Sequence, residues 1–199
     1  MGPPRRGRRL RRERRMKSRH PRPGGLDYPG IGGTEHGAAP EGYATVLKEV
    51  HLGAGLDTYQ RVATGILSWE LQRRAGLRVR ADSPTVVSGA RVVSGFGIGP
   101  FRLKVPCQVV WVREPRPKDE PQSAGFGYGA LPGHPARGEE SFEVRIDGRG
   151  EVLLRIRAFS KPGSWFYAAG GPVTRAAQRY VTSRYIEGAR QLAAEGQIP

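Results

Sequence analysis

A single cysteine, Cys107, is all the thiol this chain of 199 residues has. No intrachain disulfide can form, and a reducing cytoplasm is the expected compartment. Apolar runs are short as well, none approaching the roughly 18 residues that a membrane span needs. The paired arginines Arg5-Arg6 and Arg8-Arg9 lack the apolar stretch that an export signal requires next, because Ser18 to Gly33 is polar and rich in glycine and proline. Histidine is scarce, and His20, His36, His51 and His134 sit in separate segments. No stretch therefore supplies the convergent ligands of a zinc site, and no metal is expected. Gly95, Gly97 and Gly99 precede no helix start, which excludes a dinucleotide-binding turn. They read as a loop or bulge, and no cofactor is expected.

What is present is unevenly spread. The formal charge is +15, yet residues 1–22 hold eleven of the 33 basic side chains and one acid, Glu13. The remainder is only mildly basic. Without apolar periodicity to offset ordering entropy, residues 1–25 are expected to form a disordered arm. Such an arm contacts polyanions without sequence preference, since bound Lys and Arg release condensed counterions. It lacks the interleaved aromatics of a dedicated nucleic-acid binder. Met16 followed by Lys17 is an alternative to Met1 as the start. One domain is expected over 26–195, with a short tail over 196–199.

Within that domain, Tyr43 to His51 alternates as a strand. Asp57 or Thr58 can cap a helix reaching Ala75 and ended by Gly76, its stripe of Tyr59, Val62, Ala63, Ile66 and Trp69 recurring at three- and four-residue steps. Thr85 to Val93, Phe101 to Arg113, Ala124 to Leu131, Glu140 to Ile146 and Glu151 to Ser160 read as further strands, the last two joined by a tight turn at Asp147-Gly148. A helix from Pro172 to Ala194 closes the chain, with Ala177, Val181, Tyr185, Gly188 and Leu192 on its apolar face. At about 1.5 Å per residue it spans roughly 34 Å, enough to cross a seven-strand sheet about 29 Å wide. The fold class is therefore α+β of the helix-grip kind: a curved antiparallel sheet of about six or seven strands wrapped on a long C-terminal helix.

The segment from Gly125 to Phe142, GFGYGALPGHPARGEESF, reads as a β-hairpin gathering a tyrosine, a histidine and two glutamates at one end of that sheet. Alternation puts Phe126, Tyr128 and Ala130 on one face, with Gly125, Gly127 and Gly129 opposite, so that another element can approach the bare side. In the second arm Glu140 shares parity with Phe142, Val144 and Ile146 and should point inward, while Glu139 should point out or cap the turn. An inward carboxylate beside apolar neighbours needs hydrogen bonds or water. Cys107 is expected to pack as a small apolar residue in a strand with Val105, Val109 and Trp111. Ser160 faces the same hollow as Val152, Leu154, Ile156 and Ala158, and Trp165, Phe166 and Tyr167 could form a lid.

This block resembles the signature of the DUF1990 family, GF-x-YG-T-L-x-GHP-x-x-GEE-x-F. Tyr28-Pro29 and Gly33-Thr34 are similar to its YP-x-x-GAT opening. Gly53-Ala54-Gly55 with Trp69 resembles its GxG-helix-W segment, Ser160-Lys161-Pro162 its SRP-like triplet, and Gln178 a glutamine in its helix. The similarity covers roughly Leu26 to Glu195. It departs at Ala130, where the family has threonine, and at Lys161, where it has arginine. The resemblance implies an element order similar to START/Bet v 1-like proteins, many of which hold lipids, sterols or polyketide-like molecules.

The function expected is binding of a small, partly apolar ligand in a cavity between the sheet and the C-terminal helix. Ile66, Trp69, Phe126, Phe142 and Val144 would form its walls, and Tyr128, His134, Glu140, Ser160 and Gln178 its polar contacts. One alternative is an enzyme using Glu140, with Tyr128 or His134, for acid–base chemistry on a hydrophobic or cyclic substrate. Another is a protein associated with nucleic acid through its basic arm.

Overall fold

The computed structural model describes residues 25–98, 101–116, 121–163 and 171–195. A four-residue helix α1 (Gly33–His36) precedes strand β1 (Ala44–Ala54), and helices α2 (Leu56–Leu67) and α3 (Glu70–Arg74) follow. Strands β2 (Arg78–Ala81), β3 (Arg91–Ile98), β4 (Phe101–Arg113), β5 (Gln122–Ala130), β6 (Ala136–Ile146) and β7 (Glu151–Pro162) lead to the long helix α4 (Gly171–Ala194). All seven strands pair antiparallel in one curved sheet, in the order β1-β7-β6-β5-β4-β3-β2. The first two strands thus lie on opposite edges, and the α2–α3 segment crosses the concave face between them. This is the expected helix-grip architecture.

The core fills the space between the concave face and the helices. Phe126, Phe142, Leu154 and Ile156 of the sheet meet Tyr59, Val62 and Ile66 of α2 and Tyr185, Ala189 and Leu192 of α4. Edge-on aromatic contacts run through it, from Trp69 to Phe126 at 5.3 Å and from Phe142 to Tyr185 at 4.6 Å. Each such side chain contributes roughly 2–3 kcal/mol by leaving water. Tight turns follow the local chemistry: Asp147 accepts from the amides of Arg149 and Glu151, and Gly150 takes φ 82°.

Several local expectations are corrected. The single helix expected to reach Ala75 breaks at Ser68–Trp69, where Trp69 adopts φ 65°. Its indole is fully buried, with Nε1 donating to the Ser83 carbonyl at 3.1 Å, and that anchoring outweighs helical continuity. Neither Asp57 nor Thr58 caps α2; Gly55 takes the N-cap position without a side-chain bond. The strand expected over Thr85 to Val93 is a loop up to Ala90, whereas Arg78–Ala81 pairs with β3. Gly95 and Gly97 lie inside β3, paired with Lys104 and Arg102, and form no loop. The basic arm up to residue 24, Gly99, the aromatic run 165–167 and the tail 196–199 lie outside the described residues.

A register shift between Val109 and Trp111 makes Val110 a bulge. One inserted residue exchanges the faces of everything after it. Val109 pairs with Tyr128 on the concave face, but Trp111 pairs with Gly127 and faces the opposite side. The expectation that Trp111 shares parity with Cys107 fails for this reason.

Candidate functional site

The two glutamates of the GEE turn leave β6 through opposite faces. Glu139 is 3% exposed, neither solvent-facing nor capping its own turn. It accepts hydrogen bonds from Tyr28 Oη at 3.1 Å, from the Gly32 amide at 2.7 Å, and from the Thr34 amide at 2.9 Å and hydroxyl. The Thr34 hydroxyl in turn accepts from Trp111 Nε1 at 2.9 Å. The chain from Leu26 to His36 is thereby strapped over the convex face, where Leu26 and Tyr28 pack with Phe159. Ile31, in the same segment, is 42% exposed. The alternating glycines make room for this strap. A Cβ at Gly129 would collide with Tyr28 Oη, and one at Gly127 with Trp111 Nε1.

Glu140 emerges on the concave face, as its parity requires, opposite Tyr128 on β5 and Ala158 on β7. Tyr128 Oη donates to Glu140 Oε2 at 3.0 Å and lies 3.3 Å from Tyr185 Oη of α4. The buried thiol of Cys107 sits close enough for the Glu140 charge to raise its pKa beyond what burial alone does. Among the described residues, Tyr128 is the one hydrogen-bond partner of Glu140, and no ion pair involves it. The residue is partly open to solvent at its edge, yet apolar surroundings push its carboxyl up from 4.5 to about 7, the Tyr128 bond opposing the rise. Burial lifts the phenols of Tyr128 and Tyr185 well above their ordinary range. The arrangement is a line of three proton-bearing groups, Tyr185–Tyr128–Glu140, ending at a partly exposed carboxyl.

The remaining expected residues divide. Ser160 lies two positions along β7 from Ala158, on the same face, and its hydroxyl accepts from Gln178 Nε2 at 3.3 Å. Glu140, Tyr128, Ser160 and Gln178 thus share one end of the sheet under α4. His134 stays in the hairpin turn, where Nδ1 meets the amide and carbonyl of Ala136 at 2.9 and 2.8 Å. Burial lowers its pKa. Trp69, Phe126 and Phe142, expected as cavity walls, are fully buried and packed on one another, as are Ile66 and Val144. They fill the core instead of lining a hollow. A groove of about 510 Å³ lies elsewhere, between α2, α3 and α4 beside Arg61, Arg74 and Leu192; another of about 340 Å³ lies beside Leu67, Val86 and Glu114. Neither touches Glu140.

Sequence reasoning missed Tyr185 as a polar participant, because helical periodicity marks it only as apolar. It also missed the clamp on Glu139. Its signal was present as the YP and GT dipeptides upstream, without any sign that they meet the hairpin.

Comparisons with known proteins agree with this architecture. A family model described as "Domain of unknown function (DUF1990)" matches residues 27–188. A UPF0548 protein of Arabidopsis thaliana is 28% identical over 141 residues, 70% of this chain and 68% of the relative. A UPF0548 protein of Deinococcus radiodurans is 30% identical over 163 residues, 79% of this chain and 82% of the relative. Among solved structures, Ara h 8.0201, of Bet v 1-like type, superposes with a TM-score of 0.53 at 6% identity, covering 78% of this chain and 100% of that one.

Proposed function

The chain belongs to the DUF1990 family, and for this member we propose that the open end of the concave face, beside Glu140, binds a small, partly apolar ligand. The observation that carries the reading is an acid kept at the edge of an apolar interior with a single side-chain partner among the described residues. Such a group costs stability wherever it is ionised, and a ligand that completes its hydrogen bonding offsets that cost. Ser160 and Gln178 supply further polar contacts at the same end, and Ala158 and Val181, both partly exposed, supply apolar surface. The ligand enters from this end and leaves the packed Trp69–Phe126–Phe142 cluster intact.

Native mass spectrometry of protein purified from its source, with thermal shift across a lipid and metabolite panel, tests the reading. A bound molecule or stabilisation that Glu140→Gln diminishes is the expected result. A bare protein, with no compound raising the melting temperature, overturns it.

A second reading, acid–base catalysis by Glu140 assisted by Tyr128, draws on a carboxyl that titrates near 7, where a general acid or base works best. Turnover lost in Glu140→Gln with binding retained would favour it. Among the described residues no hydrogen bond joins His134 to Glu140 or Tyr128; its Nδ1 is engaged within its own turn.

A further inference from the structure

The ligand-binding reading above leaves the chemistry of the ligand open, and the geometry around Glu140 narrows it. Among the described residues, only Oε2 of the carboxyl has a side-chain partner, the Tyr128 hydroxyl. The groups facing it, among the described residues, are Tyr128 from β5, Cys107 from β4, Tyr185 from α4, and Ala158 with Ser160 from β7. None is a cation, and among the described residues no Lys, Arg or His pairs with Glu140. A carboxyl so placed is more stable in its neutral form. In that form Oε2 accepts from Tyr128 while Oε1 carries the proton and donates outward. The hydrogen bonds Tyr185 to Tyr128 to Glu140 then run in one direction, each polarising the next.

We propose that Glu140, at the end of this chain, is a hydrogen-bond donor to a carbonyl oxygen, so that the site takes small, partly apolar ketones, aldehydes or enones in preference to amines. A carbonyl accepts the outward proton without requiring the acid to ionise. An ammonium would require an ionised acid and would itself lose hydration on the way in.

The tyrosines and Cys107 do not titrate near neutrality, burial having raised all three. His134, in the same hairpin, is shifted down instead. A change in affinity near pH 7 that Glu140→Gln abolishes therefore reports Glu140.

The test uses two probes of nearly the same shape, acetophenone and 1-phenylethylamine. Both are titrated into the full-length protein by ligand-observed NMR at about pH 5.5 and about pH 8.5, values that bracket the Glu140 titration. Acetophenone is expected to bind about tenfold more tightly at the lower pH, the worth of one buried hydrogen bond. Its carbonyl stretch should move to lower frequency on binding. Glu140→Gln should flatten the pH dependence, and Glu140→Leu should weaken binding at both values. Tyr128→Phe, which keeps the ring, should reduce the carbonyl shift. If the amine binds instead, more tightly at the higher pH and through Glu140, the carbonyl assignment falls while the ligand-binding reading stands. Acetophenone binding that ignores both pH and Glu140 also overturns the assignment. If neither probe nor any compound of the panel binds, both readings fall together.

Discussion

Glu139 and Glu140 are the same amino acid in adjacent positions, and strand alternation gives them opposite surroundings. Glu139 receives four donors from the Tyr28–Thr34 segment. Removing its carboxylate leaves those buried donors without an acceptor, so Glu139→Ala is expected to lower stability by about 3 kcal/mol, read as a lower urea midpoint. Glu140 works in the other direction. Its folded value is raised from 4.5 to about 7, so between those two values the unfolded chain releases its proton first. Stability then falls as pH rises; the loss is absent below about 4.5 and complete above about 7. It amounts to at most about 3 kcal/mol, reduced by the solvent at the open edge of the residue. Glu140→Gln should therefore melt above the parent at about pH 8 and match it near pH 4.5; equal slopes of melting temperature against pH would contradict this. The inward direction of Glu140 was legible from parity with Phe142 alone. The burial of Glu139 was not, because its partners lie 105 to 111 positions earlier in the chain.

At the scale of elements, β5 is bare on its convex face at Gly127 and Gly129 because the strap and a tryptophan occupy the places side chains would take there. Gly127→Ala must displace the Trp111 indole and Gly129→Ala the Tyr28 ring, both buried. Each is expected to cost about 2 kcal/mol, several degrees of melting temperature in a domain of this size, with the strap's amides exchanging faster with solvent. Melting unchanged in both variants would mean that the strap does not sit on β5. The glycine alternation announced that something approaches this face, and a helix or backbone was the natural expectation. What arrives is a short helix with its flanks and an indole delivered by a bulge. Bulges and helix breaks left weaker traces than periodicity did. Val110 and Trp69 belong to segments whose patterns read as continuous strand and helix, and tertiary anchoring of two indoles, to Thr34 and to Ser83, decided otherwise.

Across the whole molecule, charge and fold are separable. The formal +15 resides mostly in residues 1–22, whereas on the sheet Arg113, Arg145 and Arg155 are paired with Glu35, Glu49 and Glu143. Any retention on heparin in dilute salt is therefore expected to come from the arm. Deleting residues 1–22 should move elution to distinctly lower salt, since fewer counterions are released; unchanged elution would place the contact on the folded domain. No described helix is long and apolar enough to cross a membrane. The sequence by itself determined the order of the main elements, the antiparallel sheet closed by a long helix, the hairpin and the face each of its side chains takes. Those features follow from spacing between near neighbours, which local sterics and burial translate directly into structure. Only the tertiary structure decided that the core is packed solid behind Trp69, that Tyr185 completes a proton-bearing line to Glu140, and that the opening segment clamps Glu139. Each of these depends on residues meeting across tens of positions, and no local periodicity encodes which distant partner a side chain will find.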